Sequence, residues 1–184
     1  ADMYQQVINI LTTMFDIVIL DTSVMYFLDP IIYDVAYPIA DKILYVTDLD
    51  IKSILGMTRW LQTVCPPEED GGYGIGMEKI GIVINKGMNQ VGMSPTKIMK
   101  IIGISAKHIY QSIDPTLSID EIPTPHILTT VPSYPKLITG ASNSQNLGKI
   151  IESPAIEEAI RRLAVAVLPL DIAKSLVNVS NSSE

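Results

Sequence analysis

The sequence contains few of the residues on which disulfide frameworks and metal centres depend. It has one cysteine, Cys65, and two histidines, His108 and His126, among 184 residues. A single cysteine excludes a disulfide within the chain and a zinc site built from several thiolates. The two histidines are far apart in the sequence and show no metal-ligand spacing. The sequence therefore does not predict a metal centre built on cysteine or histidine.

Basic residues and long apolar runs are also scarce. Thirteen Lys and Arg stand against 20 Asp and Glu, a formal net charge of −7. A domain that binds nucleic acid through its phosphates is normally basic, so direct contact with nucleic acid is not expected of this segment. The chain is 47% hydrophobic with a mean hydropathy of +0.30. Even so, no apolar run reaches the roughly 18 residues that a membrane span needs.

The two ends of the chain carry no membrane or export signal. The polar start, residues 1–6, lacks the basic region of a signal peptide, so a cytoplasmic location is expected. Residues 168–184 contain one basic residue, Lys174. An amphipathic membrane anchor would carry several, so membrane contact is not supported. The length suits one domain; we expect it to span residues 1–168, followed by a C-terminal tail over 169–184.

Apolar, β-branched segments alternate with segments of helical periodicity along the whole chain. The predicted strands are residues 15–21, 42–47, 79–85 and 127–131. The predicted helices are residues 3–13, 30–39, 51–64, 94–102, 105–112, 135–141 and 153–167. This alternation predicts an α/β fold with a mostly parallel sheet and flanking helices. High apolarity fits strands that are covered on both faces.

A polar residue or a proline ends or follows each predicted strand. Because right-handed crossovers bring all carboxyl ends of parallel strands to one edge, Asp21, Asp48, Asn85 and Pro132 should lie along it. Ligands of open α/β sheets bind at that edge. Asp21 is in the position of an acid that holds Mg²⁺ near nucleotide phosphates, although it could simply cap a turn. Asn85 could likewise be a plain turn residue, and Asp48 and Asp50 are expected to cap the next helix.

A glycine-rich phosphate-binding loop is absent from these residues. No G-x-x-x-x-G-K-[ST] stretch occurs in the sequence. The glycines of residues 72–76 lie in a segment, 66–77, that is predicted to be an exposed loop. They precede a strand, whereas a dinucleotide-binding fingerprint follows one. We therefore expect either the C-terminal part of a nucleotide-binding domain or a relative that has lost its phosphate loop.

Four segments in the expected order resemble the ParA/MinD superfamily of deviant P-loop ATPases. Residues 15–22 resemble its hydrophobic strand with an Asp-Thr ending, and residues 40–54 resemble its next strand and helix. Residues 80–86 resemble the strand that ends in Asn-Lys or Asn-Arg, and residues 131–147 resemble its proline-containing loop. Within the superfamily, the CpaE/TadZ-type proteins of Flp (Tad) pilus assembly are the most similar branch. The resemblance covers about residues 5–167 and implies a three-layer, P-loop NTPase-like fold without its N-terminal phosphate-loop strand.

The resemblance implies roles for individual residues. Asp21 corresponds to the acid that contacts Mg²⁺ through water, and Thr22 begins the switch that senses the γ-phosphate. Asn85 corresponds to the residue that hydrogen-bonds adenine, since an amide has both a donor and an acceptor. The implied cofactors are ATP and Mg²⁺. The implied cofactor-binding residues are Thr22, Asn85, Lys86, Pro132 and Ser133, with Asp21 at the metal.

The function that the resemblance implies is an ATP-switched homodimer that positions pilus, secretion or partition machinery. The phosphate loop would then precede Ala1, and hydrolysis by this chain alone is not expected. A second reading is a non-catalytic localisation scaffold that keeps the fold, favoured by Ser23 where the family usually has proline. A third is a small-molecule enzyme on a doubly wound sheet, for which the sequence offers no convincing nucleophile or acid–base pair.

Overall fold

The protein has an α/β fold in which a small parallel sheet is flanked by helices. The structure is a computed structural model that describes residues 2–22, 31–87, 93–133, 153–169 and 172–173. Its main elements are α1 (Asp2–Met14), α2 (Tyr37–Ile39), β1 (Ile43–Thr47), α3 (Ile51–Val64), β2 (Ile80–Gly87), α4 (Pro95–Ile113), β3 (His126–Pro132) and α5 (Pro154–Val167). A π-helical turn, Ile32–Ala36, leads into α2, and 3₁₀ turns lie at Glu68–Asp70, Met77–Lys79 and Ile119–Glu121.

Three strands form the sheet within the described residues, all parallel and in the order β1-β2-β3. β1 pairs with β2 in unbroken register, which ends with Thr47 opposite Ile84. The β2–β3 ladder contains irregular positions and ends with Gly87 opposite Pro132. The predicted parallel arrangement is confirmed for these three strands, and their carboxyl ends lie at one edge.

Helices lie on both faces of the sheet. The ring of Tyr45 on β1 lies 4.8 Å, centroid to centroid, from that of Trp60, so α3 covers the face to which Tyr45 points. Val46 and Thr129 point to the other face because side chains alternate along a strand. On that face the Thr129 hydroxyl donates a hydrogen bond of 3.1 Å to the carbonyl oxygen of Ala159 in α5. Val46, at the β1 side, is exposed.

The hydrophobic core lies mainly between the sheet and the pair α3 and α4. Its largest fully buried side chains include Ile54, Met57, Trp60, Leu61, Ile82, Ile84, Ile98 and Ile102. The buried positions of α3 and α4 recur at three- and four-residue intervals, as expected for a helix with one face on a core. Burial of these side chains, at roughly 1.5–3 kcal/mol each, supplies most of the stabilisation that fixes the sheet.

The helix after β2 is longer than predicted. The periodicity predicts two helices, 94–102 and 105–112, but α4 continues without a break through Gly103. A glycine weakens a helix interior without ending it, and the buried residues Ile98, Ile102, Ala106 and Ile109 hold both halves against one core. The Ser94 hydroxyl caps the start by accepting a hydrogen bond from the backbone N–H of Lys97 at 3.3 Å.

The prediction of a strand over 15–21 is wrong. In the structure these residues have no ladder partner, and Phe15, Ile17, Ile19 and Leu20 are exposed. The segment has the apolar, β-branched sequence of a buried strand. However, a strand is stabilised by the hydrogen bonds and cross-strand contacts of a neighbour. Propensity without a neighbouring strand does not produce one, so Asp21 is not carried to the edge of the sheet.

The loop over 66–77 is less exposed than the sequence suggests. Ile75 and Met77 are buried in the core, and the ring of Tyr73 stacks on that of Tyr33 with centroids 4.3 Å apart. The backbone N–H of Ile75 donates to the carbonyl oxygen of Val64 at 3.0 Å, which ties the loop to the end of α3. Gly71 and Gly74 have positive φ, and the tight turn that they allow returns Ile75 and Met77 to the core.

Some predictions fall on residues that the structure does not describe. They concern the helix over 135–141, most of the proline-containing loop, the turn at Ser23 and the tail beyond 173. In the part of the chain that is described, no helix combines the length and the apolarity that crossing a bilayer requires. The helix predicted over 153–167 is confirmed as α5.

Candidate functional site

The candidate site is the edge of the sheet where the three strands end, here called the carboxyl edge (residues 47–50, 84–87 and 131–133). β1 ends at Thr47, β2 at Gly87 and β3 at Pro132. The register places Thr47 opposite Ile84 and Gly87 opposite Pro132. The chain leaves all three strands here, and the helices after β1 and β2 begin here, which is the arrangement that binds ligands in open α/β sheets.

A backbone hydrogen bond joins the connections that follow β1 and β2. The N–H of Met93, just before α4, donates to the carbonyl oxygen of Leu49 at 3.0 Å. Thr47 is buried, and its hydroxyl donates to the carbonyl oxygen of Asp48 at 3.2 Å. The start of α4 is therefore held next to the connection between β1 and α3.

Asp50 caps the N-terminus of α3 at this edge. One carboxylate oxygen accepts hydrogen bonds from the backbone N–H groups of Lys52 and Ser53 at 2.9 and 3.0 Å, and the other accepts from the Ser53 hydroxyl at 2.6 Å. The hydroxyl bond, followed by the backbone bonds, lowers the pKa of Asp50 below its usual 3.8. The predicted capping role of Asp50 is confirmed, and its negative charge already balances the positive end of the α3 dipole.

The start of α4 is a second positive helix end at the carboxyl edge. Ser94 is its N-cap and Pro95 its first helical residue. Proline has no backbone N–H. The backbone N–H of Lys97 donates to the Ser94 hydroxyl. A helix N-terminus favours anions through its dipole and its unpaired N–H groups. The start of α4 therefore favours an anionic group beside the carboxyl edge.

Four of the predicted binding residues lie together at this edge. Asn85 is half-buried near the end of β2, with Lys86 next in the same strand. Pro132 ends β3, opposite Gly87, and Ser133 follows it; both are half-buried. Asn85 and Ser133 thus lie at the ends of neighbouring strands, and their base-binding role stays a prediction.

Asp21 and Thr22 are placed differently from these four residues. Both are exposed and belong to no strand of the sheet. Among the described residues, no group of three or more His, Cys, Asp or Glu side chains is arranged to hold a metal ion. The metal-binding role of Asp21 therefore stays a prediction that this arrangement does not support.

An aromatic cluster that was not expected from the sequence lies beside β1. The ring of Tyr37 lies edge-on to that of Trp60, with centroids 5.9 Å apart, and edge-on to that of Tyr33, at 5.5 Å. Tyr45 and Tyr73 complete the cluster through Trp60 and Tyr33. The four-residue spacing of Tyr33 and Tyr37 could have indicated that both rings lie on one helical face. The burial of Tyr33 and Tyr37 indicates a structural role for these two rings.

A groove of about 260 Å³ lies between α4 and the segment before β3. Its lining is mainly apolar, with two lysines, and consists of Lys100, Gly103, Ile104, Lys107, Ile122 and Thr124. None of these residues belongs to the carboxyl edge, so the groove is separate from the candidate site.

Comparison of the chain with protein-family models, with curated proteins and with solved structures found no match. The features of the chain that bear on function are therefore the carboxyl edge and the ordered motifs of the sequence.

Proposed function

We propose that the chain is the adenine-binding part of an ATPase domain of the ParA/MinD type. In this proposal, Asn85, Lys86, Pro132 and Ser133 surround the base of ATP at the carboxyl edge. The phosphate loop comes from a segment that precedes Ala1 in a longer protein. The whole protein is a cytoplasmic, nucleotide-switched homodimer that positions pilus, secretion or partition machinery.

The observation that carries the proposal is the position of Asn85 and Ser133 at neighbouring ends of parallel strands. Gly87 opposite Pro132 brings the end of β2 beside the end of β3. A side-chain amide can donate to and accept from one edge of a purine at the same time. The start of α4 is tied to the β1 connection through the backbone hydrogen bond from Met93 to Leu49, which holds the surroundings of these strand ends in place.

The first experiment measures nucleotide binding to this chain by calorimetry and by NMR titration. If residues 1–184 supply the base side alone, adenosine and ATP should bind weakly and with similar affinity, and both should shift the amide signals of Asn85 and Ser133. A form extended upstream of Ala1 should then bind ATP with Mg²⁺ more tightly than adenosine. No binding of adenosine, ADP or ATP to either form would overturn the proposal.

The variant Asn85→Asp tests the role of the amide. It removes the donor and keeps an acceptor of similar size, so binding of adenosine should weaken by about tenfold or more, because the site's specificity depends on that pair of hydrogen bonds. Asn9→Asp is the matched control, since Asn9 is exposed on α1. Equal effects of the two substitutions would contradict a role for Asn85 at the base.

A second candidate function is a scaffold that keeps the fold without ATP hydrolysis. The observation that favours it is the position of Asp21 and Thr22, exposed and outside the sheet. For a scaffold, the affinity for partner proteins would not depend on nucleotide, and Asp21→Asn would leave that affinity unchanged in the extended form. For the ATPase, the same substitution should abolish the dependence of nucleotide binding on Mg²⁺.

A further inference from the structure

Helix α1 presents an apolar stripe to solvent. Met3, Val7, Ile10 and Met14 are 69%, 49%, 59% and 67% exposed. Their spacing of four, three and four residues places them on one side of the helix, in the pattern of a coiled-coil seam. Ile8, the buried residue of α1, lies on another side, so the stripe faces away from the residues that bury Ile8. A contiguous apolar surface of this kind is typical of a contact site.

The spacing and the residue types of the stripe are the same in both directions along the helix. The intervals are four, three, four in either direction, and the residues are Met, β-branched, β-branched, Met in either direction. Two copies of α1 that lie antiparallel, about an axis between Ile8 and Asn9, would therefore match in register. Val7 of each copy would face Ile10 of the other, with the methionines facing each other at the ends. A two-fold interface needs a surface that is complementary to itself in this way.

The charge distribution is also compatible with a second, antiparallel copy of α1 on the stripe. The chain has a net charge of −7, so two copies repel each other over most of their surface. α1 is an exception, because Asp2 is its one charged residue. In an antiparallel pair the two Asp2 residues lie about 20 Å apart along the helix axis, at a rise of about 1.5 Å per residue. A parallel pair would bring them together.

We infer that α1 is a homodimerisation helix, covered in solution by the antiparallel α1 of a second copy of this chain. The pairing uses no residue of the carboxyl edge and needs no nucleotide. It goes beyond the proposed function and can fail or succeed independently of it.

The oligomeric state of the chain without nucleotide is the first test, measured by analytical ultracentrifugation over a range of concentrations. The chain should be dimeric, and the double variant Val7→Gln/Ile10→Gln should raise the dissociation constant by about 100-fold or more, because each copy loses two apolar contacts. The matched control is Ile51→Gln/Leu55→Gln on α3, where the side chains are 55% and 47% exposed. It should stay dimeric. Circular dichroism checks that both variants are folded.

Cysteine cross-linking tests the orientation and does not depend on the glutamine variant being folded. The Val7→Cys and Ile10→Cys chains are mixed and oxidised. Cys65 is buried and is therefore not expected to form cross-links. An antiparallel pair should link a Val7→Cys chain to an Ile10→Cys chain in preference to two chains of one kind. A monomeric wild type, a dimer that survives Val7→Gln/Ile10→Gln, a control that also dissociates, or a preference for links between identical chains would each overturn the inference.

Discussion

Trp60 donates a hydrogen bond from its indole Nε1 to the hydroxyl oxygen of Tyr37 at 3.1 Å, inside the buried core. The bond connects α3 to the short helix α2. The rings of Tyr37 and Trp60 also pack edge to face. A buried indole N–H that loses its acceptor lowers the stability of the folded protein, because water cannot replace the partner. The pair therefore fixes how the segment before β1 sits on the core.

Removing the Tyr37 hydroxyl should destabilise the protein more than the loss of a surface hydroxyl would. Tyr37→Phe keeps the ring and leaves the Trp60 N–H without this acceptor, so the free energy of unfolding should fall by about 1–3 kcal/mol. Urea denaturation followed by tryptophan fluorescence measures the change. Tyr4→Phe is the control and should be neutral, because Tyr4 is 48% exposed and is not one of the four residues of the α1 stripe. A neutral result for Tyr37→Phe would mean that the indole finds another acceptor.

Two glycines should respond in opposite ways to alanine. A Cβ on Gly81 of β2 would collide with Cδ1 of Leu128 on β3, whereas a Cβ on Gly103 of α4 meets nothing within 4 Å. Gly81→Ala should therefore cost about 1–3 kcal/mol through overpacking. Gly103→Ala should stabilise by about 0.5–1 kcal/mol through helix propensity. Thermal and urea unfolding of both variants measure the difference.

The cause of the Gly81 effect can be isolated with a double variant. If Leu128 is the obstacle, Gly81→Ala should cost less in a Leu128→Ala background than in the wild type. Equal costs in both backgrounds would show that the effect comes from the backbone of β2 and not from that contact.

Asp50 should contribute stability that depends on pH. Its pKa is lowered in the folded protein by hydrogen bonds, first that from the Ser53 hydroxyl. A group whose folded pKa is depressed stabilises the protein above its unfolded pKa, near 3.8, and that contribution disappears as the pH falls through the lower, folded value. Asp50→Asn keeps a capping side chain that does not titrate. The wild type should exceed Asp50→Asn in stability at pH 7, and the difference should shrink below pH 3.8.

Urea denaturation of both proteins at pH 7 and at acidic pH measures this difference. Ser53→Ala is a useful second variant, because it removes the largest contribution to the shift while leaving the two backbone hydrogen bonds. It should reduce the pH dependence without removing it. A stability difference that is the same at every pH would contradict the role of the charged carboxylate.

Cys65 should be unreactive in the folded protein. Burial, with a smaller contribution from the negative charge of Glu78, raises the pKa of its thiol to about 12. The reactive thiolate is therefore almost absent at neutral pH, and the sulfur is also shielded. The rate of reaction with a disulfide reagent should follow global unfolding as urea is added. A Cys65→Ala/Thr63→Cys variant, whose thiol is at an exposed position, should react at once; fast reaction of Cys65 in the wild type would contradict the buried placement.

Much of the sheet could be predicted from the sequence because its strands carry strong local signals. The β-branched runs that end near Thr47 and Asn85 are bounded by polar turns, and each is followed by a capped helix at Asp50 or Ser94. Handedness then places their carboxyl ends at one edge. Local propensity, pattern and capping agree in these segments, which makes the prediction robust.

The remaining features depend on contacts that local sequence does not encode. Residues 15–21 have the pattern of a strand, yet pairing with a neighbour decides whether one forms. Gly103 interrupts the helical pattern, but the core holds α4 together on both sides of it. The bond from Met93 to Leu49 joins two loops that are far apart in the sequence. No local pattern indicates such a bond, so this part of the candidate site emerged only from the structure.

Because β1, β2 and β3 are neighbours in the same order as they occur in the chain, the sheet can grow during synthesis by addition at a single side. Each strand that leaves the ribosome can pair with the strand that was synthesised before it. None of these three has to be inserted between two strands that have already paired. Vectorial synthesis and the final topology are therefore compatible, and a nascent chain that stops after β2 already contains a complete parallel ladder with α3 packed on it.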